Sequence, residues 1–264
     1  IKRNEFFQKY YRVMTEEERA ETIARFERKA KLQYGVEVEI DSTDARPDVM
    51  FGYAFNISKC EGSRKCVDAC VKENNQDRAS NIQYIKLFEM DGGIGNLHEG
   101  DAEYSHEVPV EGKHYLGTQC FHCENPPCTK SCPTGATWKE ADGIVVVDYN
   151  WCIGCRYCEA SCPYFARRFN WKEPEVPKEE MNPKQHYLSN RMRMKGVMEK
   201  CTYCAQRSRH GKQPACAEAC PTGARVFGNL LDPDSEIRWI LANKNVFRLK
   251  EELGTEPTFW YYSD

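Results

Sequence analysis

The sequence predicts an α+β chain: a duplicated, cysteine-bearing core with insertions inside it and extensions at both ends. Three observations carry that expectation. Fifteen cysteines fall in four groups, at 60/66/70, 120/123/128/132, 152/155/158/162 and 201/204/216/220, with none outside them. Three groups end in related tails, SCPTGAT (131–137), SCPYFAR (161–167) and ACPTGAR (219–225), as an internal duplication would leave them. Short apolar runs separate the groups, and a helical pattern lies near each end.

The elements follow in chain order. TEEERAETIARFERKAKLQYG, 15–35, reads as a helix. Thr15 and Glu18 form a capping box, Gly35 stops the helix, and Ile23, Phe26 and Ala30 share a face. That face packs on the chain's own core or docks on a partner. Strands are expected over 51–59, 82–88 (within IQYIKLF) and 143–150 (GIVVVDYN). Residues 91–115 read as a loop insertion. Its DGGIGNL, 91–97, lacks the G-x-G-x-x-G spacing and the strand–helix context of a phosphate loop, so a surface turn is expected. Residues 171–199 are proline-rich and charged, a covering or partner-facing loop. DSEIRWILANK reads as a helix, followed by an aromatic tail, TFWYY.

The formal net charge is −3, which argues against a nucleic-acid binder driven by phosphate neutralisation. No stretch approaches the roughly 18–20 apolar residues of a membrane span. An odd cysteine count excludes a fully paired disulfide framework within the chain. The chain begins at Ile1, which fits removal of a leader peptide.

CIGCRYCEASCP, 152–163, matches the C-x2-C-x2-C-x3-C-P run of bacterial ferredoxins. Three close cysteines wrap one [4Fe–4S] cluster, and the fourth ligates a neighbouring one, so such motifs come in pairs. CFHCENPPCTKSCP, 120–133, is the same device with two extra residues in its loop, and 201–221, CTYCAQRSRHGKQPACAEACP, has a longer insertion. Zinc also uses C-x2-C pairs, but it leaves the third cysteine and the C-x3-C-P tails unexplained. CEGSRKCVDAC, 60–70, departs from the pattern. Ser63 stands where the second cysteine would be, and no proline follows Cys70. Four complete sites would need one more cysteine than the chain has. The expected architecture is therefore two ferredoxin-like bicluster units. Residues 1–50 form a helical extension, 51–229 the four-cluster domain with inner insertions 91–115 and 171–199, and 230–264 a helix and aromatic tail.

From about Phe51 onward the chain resembles the four-cluster iron–sulfur electron-transfer subunits of the molybdopterin oxidoreductases, such as those of dimethyl sulfoxide and polysulfide reductase. The resemblance rests on ISKCEGSRKCVDACVKENN, ENPPC, CPTGAT, DYNWCIGCRYCEASCPYFARRF, KCTYC and ACAEACPTGARVFGNLLDPDSEI. NrfC/PsrB-like subunits look most similar. The resemblance implies pairing of the first motif with the last and of the second with the third. One [4Fe–4S] cluster then takes Cys120, Cys123, Cys128 and Cys162. A second takes Cys152, Cys155, Cys158 and Cys132, and a third Cys201, Cys204, Cys216 and Cys70. Cys60, Cys66 and Cys220 remain, with Ser63 at the missing-ligand position. Three thiolates fit a [3Fe–4S] cluster. The alternatives are a [4Fe–4S] cluster whose fourth iron binds Ser63 oxygen or water, and an empty site. Serine is a harder ligand than thiolate, which favours three irons.

Buried anionic clusters need cations and N–H donors around them. Arg64, Lys65, Arg156, Arg167, Arg168 and Lys200 are the candidate cations. His122 lies inside a motif whose cysteines are already complete, so it is expected beside the ligands or at the surface. No catalytic constellation stands out, and no substrate site of the chain's own is expected. The resemblance implies a relay of single electrons between an NrfD/PsrC-like quinone-binding membrane subunit and a molybdopterin-type or cytochrome subunit. It also implies a peripheral position on the membrane at its periplasmic face, with the cytoplasmic face as the alternative. A free-standing polyferredoxin and an iron–sulfur redox sensor are the competing readings. The first has little need for the extensions, and the second calls for an effector module that is not apparent.

Overall fold

The computed structural model describes residues 14–92 and 96–264. DGGIGNL and the N-terminal extension therefore lie partly outside the described residues. Along the chain run α1 (Glu16–Tyr34), β1 (Glu39–Asp41), β2 (Phe51–Asn56), α2 (Lys65–Glu73), β3 (Lys86–Asp91), β4 (Lys113–Thr118), α3 (Pro127–Lys130), β5 (Thr137–Lys139) and β6 (Val145–Val147). Then follow α4 (Tyr157–Ala160), β7 (Arg168–Phe169), β8 (Lys184–His186), β9 (Met198–Glu199), α5 (Ala205–Ser208), α6 (Ala215–Glu218), β10 (Arg225–Asn229), α7 (Glu236–Asn243), β11 (Val246–Phe247) and β12 (Phe259–Tyr262). Helices and small sheets are mixed, as the α+β expectation requires.

Helix α1 forms as its sequence dictates. The Thr15 hydroxyl accepts from the Glu18 amide at 3.3 Å, and the Glu18 carboxylate accepts from the Thr15 amide at 2.9 Å. Gly35 closes it at φ 68°, with its amide on the Lys31 carbonyl. Ile23 and Phe26 are half-buried and Ala30 is buried. Phe26 meets Tyr187 edge-on at 6.0 Å and carries the Arg191 guanidinium 4.8 Å above its ring. The apolar face thus rests on the 184–195 segment of the same chain.

The main sheet has the order β10–β2–β12–β11. Every residue of β2 is buried, because β10 covers one edge antiparallel and β12 the other parallel. The aromatic tail is therefore an inner strand. Phe259 stacks on Tyr53 at 5.1 Å and on Phe121 at 4.7 Å. Helix α7 adds Ile237 and Ile240 to a second cluster with Ala54, Val226 and Tyr262. The internal repetition is visible in the helices, since α3 packs on α4 as α2 packs on α6. After the second and fourth cysteine runs, β5 and β10 each enter an antiparallel pair, with β6 and β2.

Several expected boundaries move. The first strand ends at Asn56, whose side chain accepts from the Lys59 amide at 3.2 Å and turns the chain. Residues 82–85 are buried for the most part but irregular: Gln76 accepts from the Tyr84 amide and Arg168 donates to the Gln83 carbonyl, so side chains replace the ladder. The strand itself runs 86–91 and pairs with β4, so the loop insertion gives way to strand at 113. The expected 143–150 strand shortens to 145–147, because the Asp148 carbonyl accepts from the Trp151 and Cys152 amides in a turn.

The 171–199 segment is a covering element with a buried polar interior. Arg193 donates to the Asn74 and Asn75 carbonyls at 2.7 and 2.6 Å and ion-pairs with Glu199 at 2.8 Å, with both side chains fully buried. Its β8 extends β1 in parallel, and its β9 pairs with β7.

Truncation of the inner-strand ring should be severe. Phe259→Ala is expected to cost about 3–5 kcal/mol. A denaturant midpoint unchanged from the parent protein, measured anaerobically, would contradict this packing.

Candidate iron–sulfur centres

The four cysteine loops share a left-handed turn at the residue before the second cysteine position of the motif. Gly62, His122, Gly154 and Tyr203 occupy that position in the four motifs, with φ of 74°, 44°, 67° and 51°. Left-handed φ is strained for non-glycine residues and persists where the surroundings over-determine it. At Gly154 the demand is also steric, since a Cβ would sit 2.1 Å from the Gly196 carbonyl oxygen. The first motif therefore bends like the other three and presents Ser63 where they present Cys123, Cys155 and Cys204. Ser63 and Cys155 are exposed, while Cys123 and Cys204 are buried.

The fold gathers the thiols into neighbourhoods that can be read from their mutual electrostatics. Burial pushes the Cys123 thiol up to about 12, with Cys120, Cys128 and Cys162 adding to the shift. Burial pushes Cys158 up to about 11, and Cys128, Cys152 and Cys132 act in the same direction. Cys70 is raised by burial, then by Cys204, Cys216 and Cys201. Cys60 is pushed by burial to about 11, with Cys66 and Cys220 beside it. Cys132 departs from this trend: burial raises it, but the Thr134 hydroxyl and nearby amides outweigh burial and leave it low.

Neighbourhoods also touch one another. Cys128 faces Cys158, Cys120 faces Cys201, and Cys66 faces Cys216. The four groups thus form a row through the molecule. Between the groups of Cys120 and Cys201 lie His122 and Tyr203, ring on ring at 3.8 Å.

The donor set suits iron–sulfur clusters. Cys120, Cys123, Cys128 and Cys162 line one small cavity, walled by Pro126, Pro163 and Arg167. Among the described residues no three His, Cys, Asp or Glu side chains converge as one bound metal ion requires. A cubane spreads its thiolates, because each binds a different iron. Donors also face the sulfurs. The Met198 and Tyr203 amides lie 3.4 Å from Cys152 Sγ and Cys201 Sγ, Gln76 Nε2 3.2 Å from Cys70 Sγ, and Asn74 Nδ2 3.5 Å from Cys204 Sγ. The Tyr53 hydroxyl lies 3.3 Å from Cys216 Sγ.

The candidate cations divide. Arg167 and Lys200 are buried: Arg167 donates to the Thr137 hydroxyl, and Lys200 Nζ to the Cys201 carbonyl at 2.6 Å. Arg168 spends its donors on the Gln83, Phe165 and Arg167 carbonyls, and burial lowers its pKa although Glu159 and Cys162 favour its charge. Arg64 bonds the Ala102 carbonyl and Gln83, Arg156 stacks 4.6 Å above Trp171, and Lys65 is exposed. These three serve loops and surface, since their positions beside a motif cysteine fix sequence distance but not direction. His122 is fully buried, and its Nδ1 accepts from the Val145 amide at 2.9 Å, which places the ring proton on Nε2. Burial, with Lys200, Lys139 and Arg167, keeps the ring neutral.

Sequence reasoning missed Arg225, Asn74, Gln76 and Tyr53. Arg225 had a signal: it ends ACPTGAR as Arg167 ends SCPYFAR. Asn74 and Gln76 follow Cys70 in a polar run that resembles a surface loop.

Comparison with known proteins agrees with this architecture. Residues 112–187 match a 4Fe-4S dicluster domain, and residues 151–224 match a second profile of the same description. The chain is similar to the Hdr-like menaquinol oxidoreductase iron–sulfur subunit 1 of Archaeoglobus fulgidus, 40% identical over 74% of this chain and 71% of that one. It is 37% identical to a selenate reductase subunit of Mesobacillus selenatarsenatis, over 81% and 72%. It is 34% identical to NrfC of Escherichia coli, over 80% of each.

Buried thiols are neutral until a metal replaces their protons. Loading the metal-free protein with mixed ferrous and ferric iron and sulfide at pH 7 should release about one proton per ligating thiol beyond those the sulfide itself gives up, and iron retention should weaken as pH falls. Calorimetry in buffers of different ionisation enthalpy, with the sulfide protons subtracted, counts the thiol protons, and no excess over the sulfide would contradict the expectation.

Proposed function

We propose, for a chain that belongs to the family of 4Fe-4S dicluster iron–sulfur subunits of respiratory oxidoreductases, that it relays single electrons along its row of four cysteine neighbourhoods. The row itself is the observation that carries this reading. Along it we assign Cys152, Cys155, Cys158 and Cys132 to one end, then Cys120, Cys123, Cys128 and Cys162, then Cys201, Cys204, Cys216 and Cys70, and Cys60, Cys66 and Cys220 to the other end. The first three sets would each hold a [4Fe–4S] cluster and the last a [3Fe–4S] cluster. Bound there, such clusters accept and give up one electron at a time. The chain's own residues hold them in place, exclude water and supply N–H donors to the sulfurs. No substrate site of its own is part of this reading.

The first motif supports three irons rather than an empty site. Its loop keeps the left-handed turn at Gly62 and keeps Cys66 and Cys220 beside Cys60. A decayed site would have no reason to hold that geometry.

One end of the row offers a surface to a partner. Cys155 is the exposed cysteine, flanked in sequence by exposed Trp151, Ile153 and Tyr157. Apolar and aromatic side chains at that rim would bring a partner's redox centre close. We assign the partners as an NrfD/PsrC-like quinone-binding membrane subunit and a molybdopterin-type or cytochrome subunit. A menaquinol oxidoreductase and a selenate reductase among the named relatives support these two kinds. Among the described residues no helix is long and apolar enough to cross a membrane. The chain would then sit peripherally, at the periplasmic face.

Protein purified anaerobically should hold about 15 iron and about 16 sulfide atoms per chain, with the electron paramagnetic resonance signal of an oxidised [3Fe–4S] cluster. Ser63→Cys should add one iron and remove that signal. About 12 irons in the parent protein would mean that the first motif holds nothing.

A further inference from the structure

Two arginines occupy the same place in two copies of the repeat. Arg167 stands five residues after Cys162, and Arg225 five residues after Cys220. At the equivalent place after Cys132 stands Thr137, and after Cys70 stands Asn75. Each pair of neighbourhoods thus has one such arginine. Both are almost fully buried, 2% and 4% exposed. Neither has a carboxylate partner in any ion pair among the described residues.

Their surroundings are alike. Arg167 lines the cavity of Cys120, Cys123, Cys128 and Cys162, and its guanidinium also lies near Cys158 of the adjoining group. Its Nη2 donates to the Thr137 hydroxyl at 2.9 Å, and its Nη1 is buried without a nitrogen or oxygen partner. Arg225 lies near Cys66 of one group and Cys216 of the next. Its Nη1 donates to Gln119 Oε1 at 2.9 Å, and its Nη2 is buried without a hydrogen bond. Gly117 makes room for it, since a Cβ there would stand 2.7 Å from Nη2. Its guanidinium lies over Phe55 at 5.1 Å and Tyr53 at 5.9 Å, and Tyr53 in turn reaches Cys216.

A buried guanidinium without a carboxylate is costly unless an anion lies beside it. Cysteine sulfurs are what lies beside each arginine, lining the cavity of Arg167 and reached from Arg225 through Tyr53, and they become that anion only as the thiolates of a bound cluster. We propose that Arg167 and Arg225 are positioning cations, each shared by the two cluster sites of one half, and that each raises the reduction potentials of its own pair. This rests on the four-site reading above. The direction follows from charge: reduction adds a negative charge to a site, and a nearby buried cation favours that state.

The test uses the intact chain with its clusters, as Arg167→Gln, Arg167→Lys, Arg225→Gln and Arg225→Lys. Iron and sulfide content is measured first, then redox titration followed by paramagnetic resonance. Arg225→Gln should raise the oxidised-to-reduced ratio of the [3Fe–4S] site and its neighbour at least tenfold at fixed potential, about 59 mV for a one-electron couple. Arg167→Gln should do the same for the other two sites, and each lysine variant should return most of the shift. A change below twofold with iron retained, or an equal shift in both halves, overturns the proposal. Should a glutamine variant lose iron, retention by its lysine counterpart supports it, and equal loss in both overturns it. A parent protein short of iron would instead fail the functional reading.

Discussion

Desolvation of thiols is the constraint on which the rest of this structure depends. Nine of the fifteen cysteines are buried within a chain of 264 residues, and burial is the largest influence on each raised thiol. A thiol in that setting stays protonated unless positive charge arrives. Iron supplies most of it. The polypeptide supplies the remainder with amides, the side-chain donors of Asn74 and Gln76, and a few cations that have no other anion to face. The polar content of the core is best understood as an answer to that one cost.

The same constraint explains why the covering segments are as they are. Residues 171–199 look like a solvated loop because they are rich in charge, yet Arg193 and Glu199 are fully buried. Arg193 ties down the Asn74 and Asn75 carbonyls, and those residues close the helix that carries Cys66 and Cys70. Helix α1 lies outside this layer and presses on it through Phe26. A shell built this way keeps water from the sulfurs without a large aliphatic core.

Much of the fold was legible in the sequence where a residue's chemistry admits one structural use. The capping box at Thr15, the stop at Gly35 and the C-x3-C-P tails are of that kind. Ser63 was legible as an altered position, and the turn at Gly62 adds backbone geometry that no residue count could supply. What stayed hidden depended on contacts far apart in sequence. The strand at 113–118 reads as the end of a loop until β3 is placed beside it. The aromatic tail could pack on the chain itself or on a neighbour until its edge partners were seen. Arg64, Lys65 and Arg156 flank motif cysteines in sequence, but Arg64 bonds the Ala102 carbonyl and Gln83, Arg156 lies over Trp171, and Lys65 is exposed. Arg225 lies farther from its cysteines in sequence than those three do and is packed among them.

Strand β2 leads directly into the first cysteine motif, and its two neighbours in the sheet come from residues 225–229 and 259–262. Contacts of such long sequence separation form slowly and only when both partners exist. During synthesis the pocket around Cys60 and Cys66 thus stays open until nearly the whole described chain has emerged, whereas the hairpin between the second and third motifs can close much earlier. The order of closure is consequently written into the topology, with the pocket around Cys60 and Cys66 closed last.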